Sequence, residues 1–205
     1  MDSLKRYALK DVFTYIFRHC LGMEYKKYHY LRLVTNIEEV EKRLENFGLE
    51  VFPLKYSDMS KGDQNVFKGE KLELYKKRFQ DPYYYGYGIE ENNQLIYSTW
   101  ISVGNLGLPG VIKPIPLLPN EGLLEDSYCA PSARGRGLHG QMNFYRIKKL
   151  FELGKNRVLA IVQDGNTPAM KVQMKSGFEE LGVFYIGKIF WIPFCTLKKE
   201  KFDKQ

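Results

Sequence analysis

From residue 134 to residue 140 the chain reads Arg134-Gly135-Arg136-Gly137-Leu138-His139-Gly140, three glycines and two arginines in seven positions. Glycine lets the backbone turn its N–H groups toward one point and lets a ligand approach them closely. A helical pattern begins at Leu138, and a helix N-terminus adds unpaired N–H donors and the positive end of a dipole. Phosphate suits such a turn, and two guanidinium groups can close the site by charge-assisted hydrogen bonds. The chemistry is that of a diphosphate cradle, compatible with many nucleotides. A second reactive set lies just upstream, where Glu125, Ser127 and Cys129 alternate along residues 123–130. In a strand they share one face, with Asp126 on the other, unless a bulge intervenes.

These residues need elements to hold them. Residues 123–130 read as a strand stopped by Pro131, and a helix follows from 138 to 153, ended by Gly154. Residues 157–163 read as a buried strand and 167–176 as a short helix ended by Gly177. Residues 178–186 and 188–197 form two closing strands with Gly187 between them. Upstream, residues 4–20 have helical spacing, and 29–34 alternate like a strand. Asn36 and Glu39 start a helix as a capping box, with Ile37, Val40, Leu44 and Phe47 as its buried stripe. A short strand over 49–54 and a polar stretch over 57–65 precede a helix around 68–80. Residues 83–90 and 94–103 pair as a hairpin across Glu91-Asn92-Asn93. Residues 104–120 hold three glycines and four prolines and form a loop that interrupts the sheet. The order predicts an α/β chain of the mixed α+β kind. A mostly antiparallel central sheet is flanked by helices, with one β-loop-α-β crossover after residue 123.

Composition narrows the class. With 44% hydrophobic and 27% charged residues, a chain of 205 can bury a core and is not mainly disordered. A net charge of +7 suits an anionic ligand, but no dense Lys/Arg stripe or recognition signature points to nucleic acid. Cys20, Cys129 and Cys195 are odd in number and widely spaced, which argues against a disulfide framework or a zinc site and for a reducing compartment. No apolar run nears the roughly 20 residues that span a bilayer. Asp2, Lys5, Arg6, Lys10 and Asp11 break any signal-peptide core. The expectation is a cytoplasmic protein with no metal, no membrane partner and no nucleic-acid partner.

Residues 123–182 resemble the core of the GNAT superfamily of acetyl-CoA-dependent N-acetyltransferases. The family's phosphate loop, Arg/Gln-x-x-Gly-x-Gly/Ala, is matched by Arg134-Gly-Arg-Gly137-Leu-His139 at all but the last position. A second landmark is matched by Asn166, Ala169 and Gly177-Phe178. The resemblance extends loosely from residue 49 to the C-terminus. It implies an acyltransferase core over 49–205, with residues 1–48 as a helix/strand/helix extension packed on it. It also implies acetyl-CoA, or another acyl-CoA, as co-substrate. The diphosphate falls to Arg134, Gly135, Arg136, Gly137, Leu138, His139 and Gly140. The pantetheine arm lies between the strands ending at 130 and 163, beside Tyr128, Cys129, Ala130 and Ala169, and hydrogen-bonds Asn166. A backbone N–H at Cys129 or Ala130 binds the thioester carbonyl. The family's habit of pairing through its last strands implies a homodimer around residues 189–197.

Acylating an amine needs a base, since an alkyl ammonium has a pKa of about 10. Glu125 is the first candidate, on a strand similar to the base-bearing strand of histone-acetylating members; a solvated strand-start carboxylate or a salt bridge is the plainer alternative. Asp126, pointing the other way, reads as structural. Relatives place an acidic Tyr where this chain has Gln173, which cannot donate a proton as an acid. Tyr185 on the next strand is the substitute, and water is another, because a thiol of pKa about 8.5 leaves readily. His139 reads as a phosphate-side group. Cys129 has no His partner in view to make it a nucleophile. Tyr83, Tyr84, Tyr85 and Trp100 either stack on an acceptor or fill the core. The expected reaction is acetyl (acyl) transfer from coenzyme A to the primary amine of a small molecule, such as an amino sugar or amino acid, through a tetrahedral intermediate. The alternatives are a non-catalytic CoA-binding module and a same-fold acyltransferase that uses a longer acyl donor or aminoacyl-tRNA as donor, or a protein acceptor.

Overall fold

Short-range signals fold as their residues dictate. The computed structural model describes residues 24–108, 115–189 and 192–199, and the helix expected over 4–20 lies outside them with His19 and Cys20. Strand β1 is Glu24–Leu33 and helix α1 is Ile37–Leu44. Asn36 caps α1 through its side-chain oxygen, which accepts from the Glu39 N–H at 3.0 Å. The Glu39 carboxylate turns instead to Arg43, one turn along, at 2.9 Å. β2 is Phe52–Pro53, and the polar stretch after it winds into a 3₁₀ helix, Tyr56–Lys61, before α2, Gly69–Gln80. β3 (Tyr84–Glu91) and β4 (Gln94–Ser102) form the expected hairpin. Asn92 and Asn93 take its two turn positions at φ 51 and 61, the left-handed geometry that asparagine tolerates.

The expected loop over 104–120 contains a small ribbon, β5 (Asn105–Leu106) with β6 (Ile115–Pro116). Then come β7 (Glu121–Cys129), a 3₁₀ turn (Pro131–Ala133), α3 (Leu138–Glu152), β8 (Arg157–Gln163), α4 (Thr167–Lys175), β9 (Phe178–Ile189) and β10 (Ile192–Lys199). Gly187 does not divide the last two strands. β9 runs through it, paired with Tyr25 on one side and Phe194 on the other.

The main sheet has the order β10-β9-β1-β8-β7-β4-β3-β2. Only β7 and β8 run parallel, joined by the crossover through α3; the other recorded pairs are antiparallel. The N-terminal residues depart from expectation. β1 is not an extension packed on a core that starts at 49 but an interior strand between β8 and β9. Its Leu31 is wholly buried. α1 and α3 cover one face, where Val40, Met142, Ile147 and Leu150 meet Leu31, Tyr97 and Leu124. On the other face, α2 packs Tyr75 against Trp100, Phe67 and Tyr128, and Leu106 and Leu108 cover Leu123 and Leu159.

Candidate active site

β7 and β8 stay paired only from Glu121↔Arg157 to Leu124↔Ala160. Beyond that, β7 continues to Cys129 and β8 to Gln163 with a cleft of about 710 Å³ opening between them. One cause is local. Opposite β4, Trp100 pairs with Glu125 and Thr99 with Ser127, so Asp126 is an extra residue in a β-bulge. A second cause is Arg146 on α3. Its Nη1 donates to the Glu125 carbonyl at 2.7 Å and its Nη2 to Asn143 Oδ1 at 2.7 Å. Asn143 passes the network on to Gln173 Oε1 (3.1 Å) and Ser176 Oγ (2.8 Å).

The glycine turn forms the open end of the cleft. Gly135 and Gly137 sit at φ 79 and 74, where any side chain would be strained. The N–H groups of Leu138 and His139, in the first turn of α3, have no helical carbonyl beneath them. Arg134 Nε donates to the Cys129 carbonyl at 3.3 Å. Arg136 does not line the cleft: its guanidinium makes a two-pronged pair with Glu91 and ties the turn to the β3–β4 hairpin.

Across the cleft, Asn166 caps α4 by accepting from the Ala169 N–H at 3.3 Å, leaving its amide NH2 as a donor. The Ala130 N–H donates to the Ile96 carbonyl at 2.8 Å, so it is not available to a ligand. Strand alternation turns the N–H of Cys129 the other way, into the splay. Tyr128 is turned from the cleft by the bulge. Leu124 packs toward α3, yet Tyr128, four residues on, packs against Phe67 on the α2 side.

The bulge also breaks the shared face expected for Glu125, Ser127 and Cys129. Ser127 bonds Thr99 Oγ1 at 2.8 Å, and Cys129 packs with the α3-side core. Glu125 and Asp126 both face Arg78 of α2, correcting the expectation that Asp126 points away. Arg78 Nη2 pairs with Glu125, and its Nη1 lies 3.6 Å from Asp126. Tyr75 donates to Asp126 at 2.7 Å, and Lys71 stands 3.7 Å from it. The two carboxylates differ in access: the side chain of Glu125 is 5% exposed and that of Asp126 27%. Burial pushes the Glu125 carboxyl above its ordinary range, with Arg78 pulling the other way. A β-carbon on Gly107 would stand 2.1 Å from Glu125 Oε1, so only glycine lets the loop seal that side.

His139 turns its ring inward, with Nδ1 2.6 Å from the Tyr97 hydroxyl on β4. Burial and the nearby Arg146 charge lower its pKa to about 4, so near neutrality it is an uncharged imidazole on the cleft wall. Tyr185 is not brought to the site. It lies on β9, separated from the splay by β1 and β8, and its ring meets Tyr25 at 6.1 Å. Trp100 is core, 1% exposed beside Tyr75 and Phe79.

No protein-family model and no curated protein matches the chain by sequence. Solved structures do match. One is a putative acetyltransferase from the GNAT family of Novosphingobium aromaticivorans, at TM-score 0.54 and 12% identity over 79% of this chain and 63% of that one. The fold is that of the GNAT acetyltransferases. A GCN5-related glucosamine N-acetyltransferase region of a fungal multi-domain protein matches at TM-score 0.56 and 12% identity, over 87% of this chain and 22% of that one. AAC(6')-Iy in complex with the bisubstrate analogue CoA-S-monomethyl-acetylneamine matches at 0.50 and 17%, over 64% and 91%. This chain thus spans under two thirds of the Novosphingobium protein.

The glycine turn is legible in its own motif and the place between the two strands in the resemblance, whereas neither residue type nor spacing marks Arg78 or Tyr97. Arg146 carried one signal. It sits three residues after Asn143 and seven after His139, so three polar residues share the inner side of α3 with Met142, Ile147 and Leu150. Among the described residues no cluster could hold a metal ion, and no helix is long and apolar enough to cross a membrane.

Proposed function

We propose that the protein transfers an acyl group from coenzyme A to the primary amine of a small molecule. The observation that carries this reading is the splay of β7 from β8, opening beneath a glycine turn at the N-terminus of α3. The diphosphate binds the N–H groups of that turn with Arg134, and the pantetheine arm enters the splay beside Asn166. The Cys129 N–H holds the thioester carbonyl and stabilises the oxyanion of the tetrahedral intermediate. Asp126, the more exposed carboxylate of the pair, takes the proton of the amine. Glu125, first favoured for that task, anchors Arg78, which with Tyr75 and Lys71 orients Asp126. The C–S bond then breaks and coenzyme A leaves as a thiolate, which takes its proton from water.

The likeness to an aminoglycoside acetyltransferase bound to a bisubstrate analogue, and to a glucosamine N-acetyltransferase region, supports a small amine such as an amino sugar as the acceptor. Among the described residues Cys129 and Cys195 are free, which supports a reducing compartment such as the cytoplasm. The test is thiol release from acyl-CoA donors across a panel of amino sugars and amino acids. Amine-dependent release is expected. Tight CoA binding with no release across the panel would favour a non-catalytic CoA-binding module.

A further inference from the structure

Arg146 carries a charge that the reading above leaves unused. The residue is 2% exposed and enters no ion pair among the described residues. Of its five N–H donors, those on Nη1 go to the carbonyls of Glu125 (2.7 Å) and Trp100 (3.5 Å), and one on Nη2 goes to Asn143. The Nε–H has no acceptor, and no bond is recorded for the second proton on Nη2. Neutral donors would suffice to bridge two carbonyls, so the fold's hydrogen bonds do not account for the charge. A buried guanidinium with no anion is costly unless something else supplies one. The neighbouring carboxylates do not balance it. Lys71, Arg78 and Arg146 are three cations around two anions, Glu125 and Asp126, a surplus of one positive charge.

Position says what the missing anion would belong to. Arg146 lines the cleft with Leu124 and Gln173, toward the end where β7 and β8 close together, away from the glycine turn. A donor anchored at that turn points its acyl end this way. At about 3.3 Å per residue, the Cys129 N–H and the Glu125 carbonyl that Arg146 holds are about 10 Å apart along β7. A four- or five-carbon acyl chain, with a hydrogen bond at each end, covers such a gap; an acetyl group does not.

Resting on the acyl-CoA reading, we propose that Arg146 binds a carboxylate at the far end of the acyl group, so that the donor is the CoA thioester of a short dicarboxylic acid. The test is calorimetric titration of the wild-type protein with succinyl-CoA and with butyryl-CoA, which match in chain length and differ in charge. Succinyl-CoA is expected to bind at least tenfold tighter. Arg146→Gln should erase that ratio and Arg146→Lys should keep part of it; the ratio, unlike affinity alone, would not move if Arg146 only braced the strands. Should Arg146→Gln fail to fold, the wild-type ratio and the lysine variant still decide. If both thioesters bind equally, the inference is overturned and the acyltransferase reading stands. If neither binds, both fall.

Discussion

Asp126 has no partner opposite it on β4, and that one unmatched residue sets which carboxylates face Arg78. Without the bulge, Asp126 and Glu125 would lie on opposite faces; with it, both meet Arg78 and divide the work by exposure. Asp126→Asn should lower kcat by about 10²- to 10⁴-fold, the usual contribution of a general base, with little change in the urea midpoint. Glu125→Gln leaves Arg78 buried without its closest anion and should cost about 3–5 kcal/mol of stability, with the smaller effect on rate. The crossed result, rate lost with Glu125 and stability with Asp126, would return the base to Glu125. His139 makes a prediction of another kind. Folded, it binds a proton only near pH 4, whereas the unfolded chain does so near 6.5. Between those values the unfolded state holds more protons, so stability falls as pH drops from 6.5 to 4, by on the order of 2–3 kcal/mol. His139→Gln should show a smaller loss in urea melts at pH 7 and pH 4. An identical loss in both proteins would mean that His139 is not held neutral. A salt bridge was among the readings open to Glu125, but the bulge at Asp126 and the partner Arg78 were not legible from residue types, because a bulge depends on the partner strand and a buried arginine looks like a solvated one until its helix is placed.

Elements were legible where their causes are local. Asn36 announces α1, Asn92-Asn93 announces the hairpin, and Pro131 with the glycines after it announces the break between β7 and α3. What failed was non-local. The alternation of residues 29–34 marks a strand but says nothing of its neighbours, and β1 took an interior place between β8 and β9. That place also put Tyr185 two strands away from the splay. Since β1 bonds to β8 and β9 at once, its core should fail with the whole sheet. Leu31→Ala, at a wholly buried site, should cost about 2–5 kcal/mol and leave a single unfolding transition. Two separated transitions would show that the N-terminal strand folds apart from the rest.

At the scale of the molecule, one sheet opens a cleft between its central parallel pair, and α3 and α4 wall it. In the proposed reaction α2 and the bulge serve the acceptor side, and α3, α4 and the glycine turn serve the coenzyme A side. The surplus of basic residues gives the chain its net +7, a field that favours a polyanionic ligand such as coenzyme A. The proposed function depends on that ligand, and calorimetric titration of the folded protein with coenzyme A tests it most directly, with Gly137→Trp alongside. Gly137 takes φ 74 with nothing within 4 Å of a β-carbon built there, so an indole would fill open space in the path of the diphosphate rather than the core. The wild type should bind with a dissociation constant in the micromolar range, about 8 kcal/mol of free energy, and Gly137→Trp should remain folded and give no binding heat. A folded wild-type protein that takes up no coenzyme A, or a Gly137→Trp variant that binds it as tightly, would overturn the proposed function.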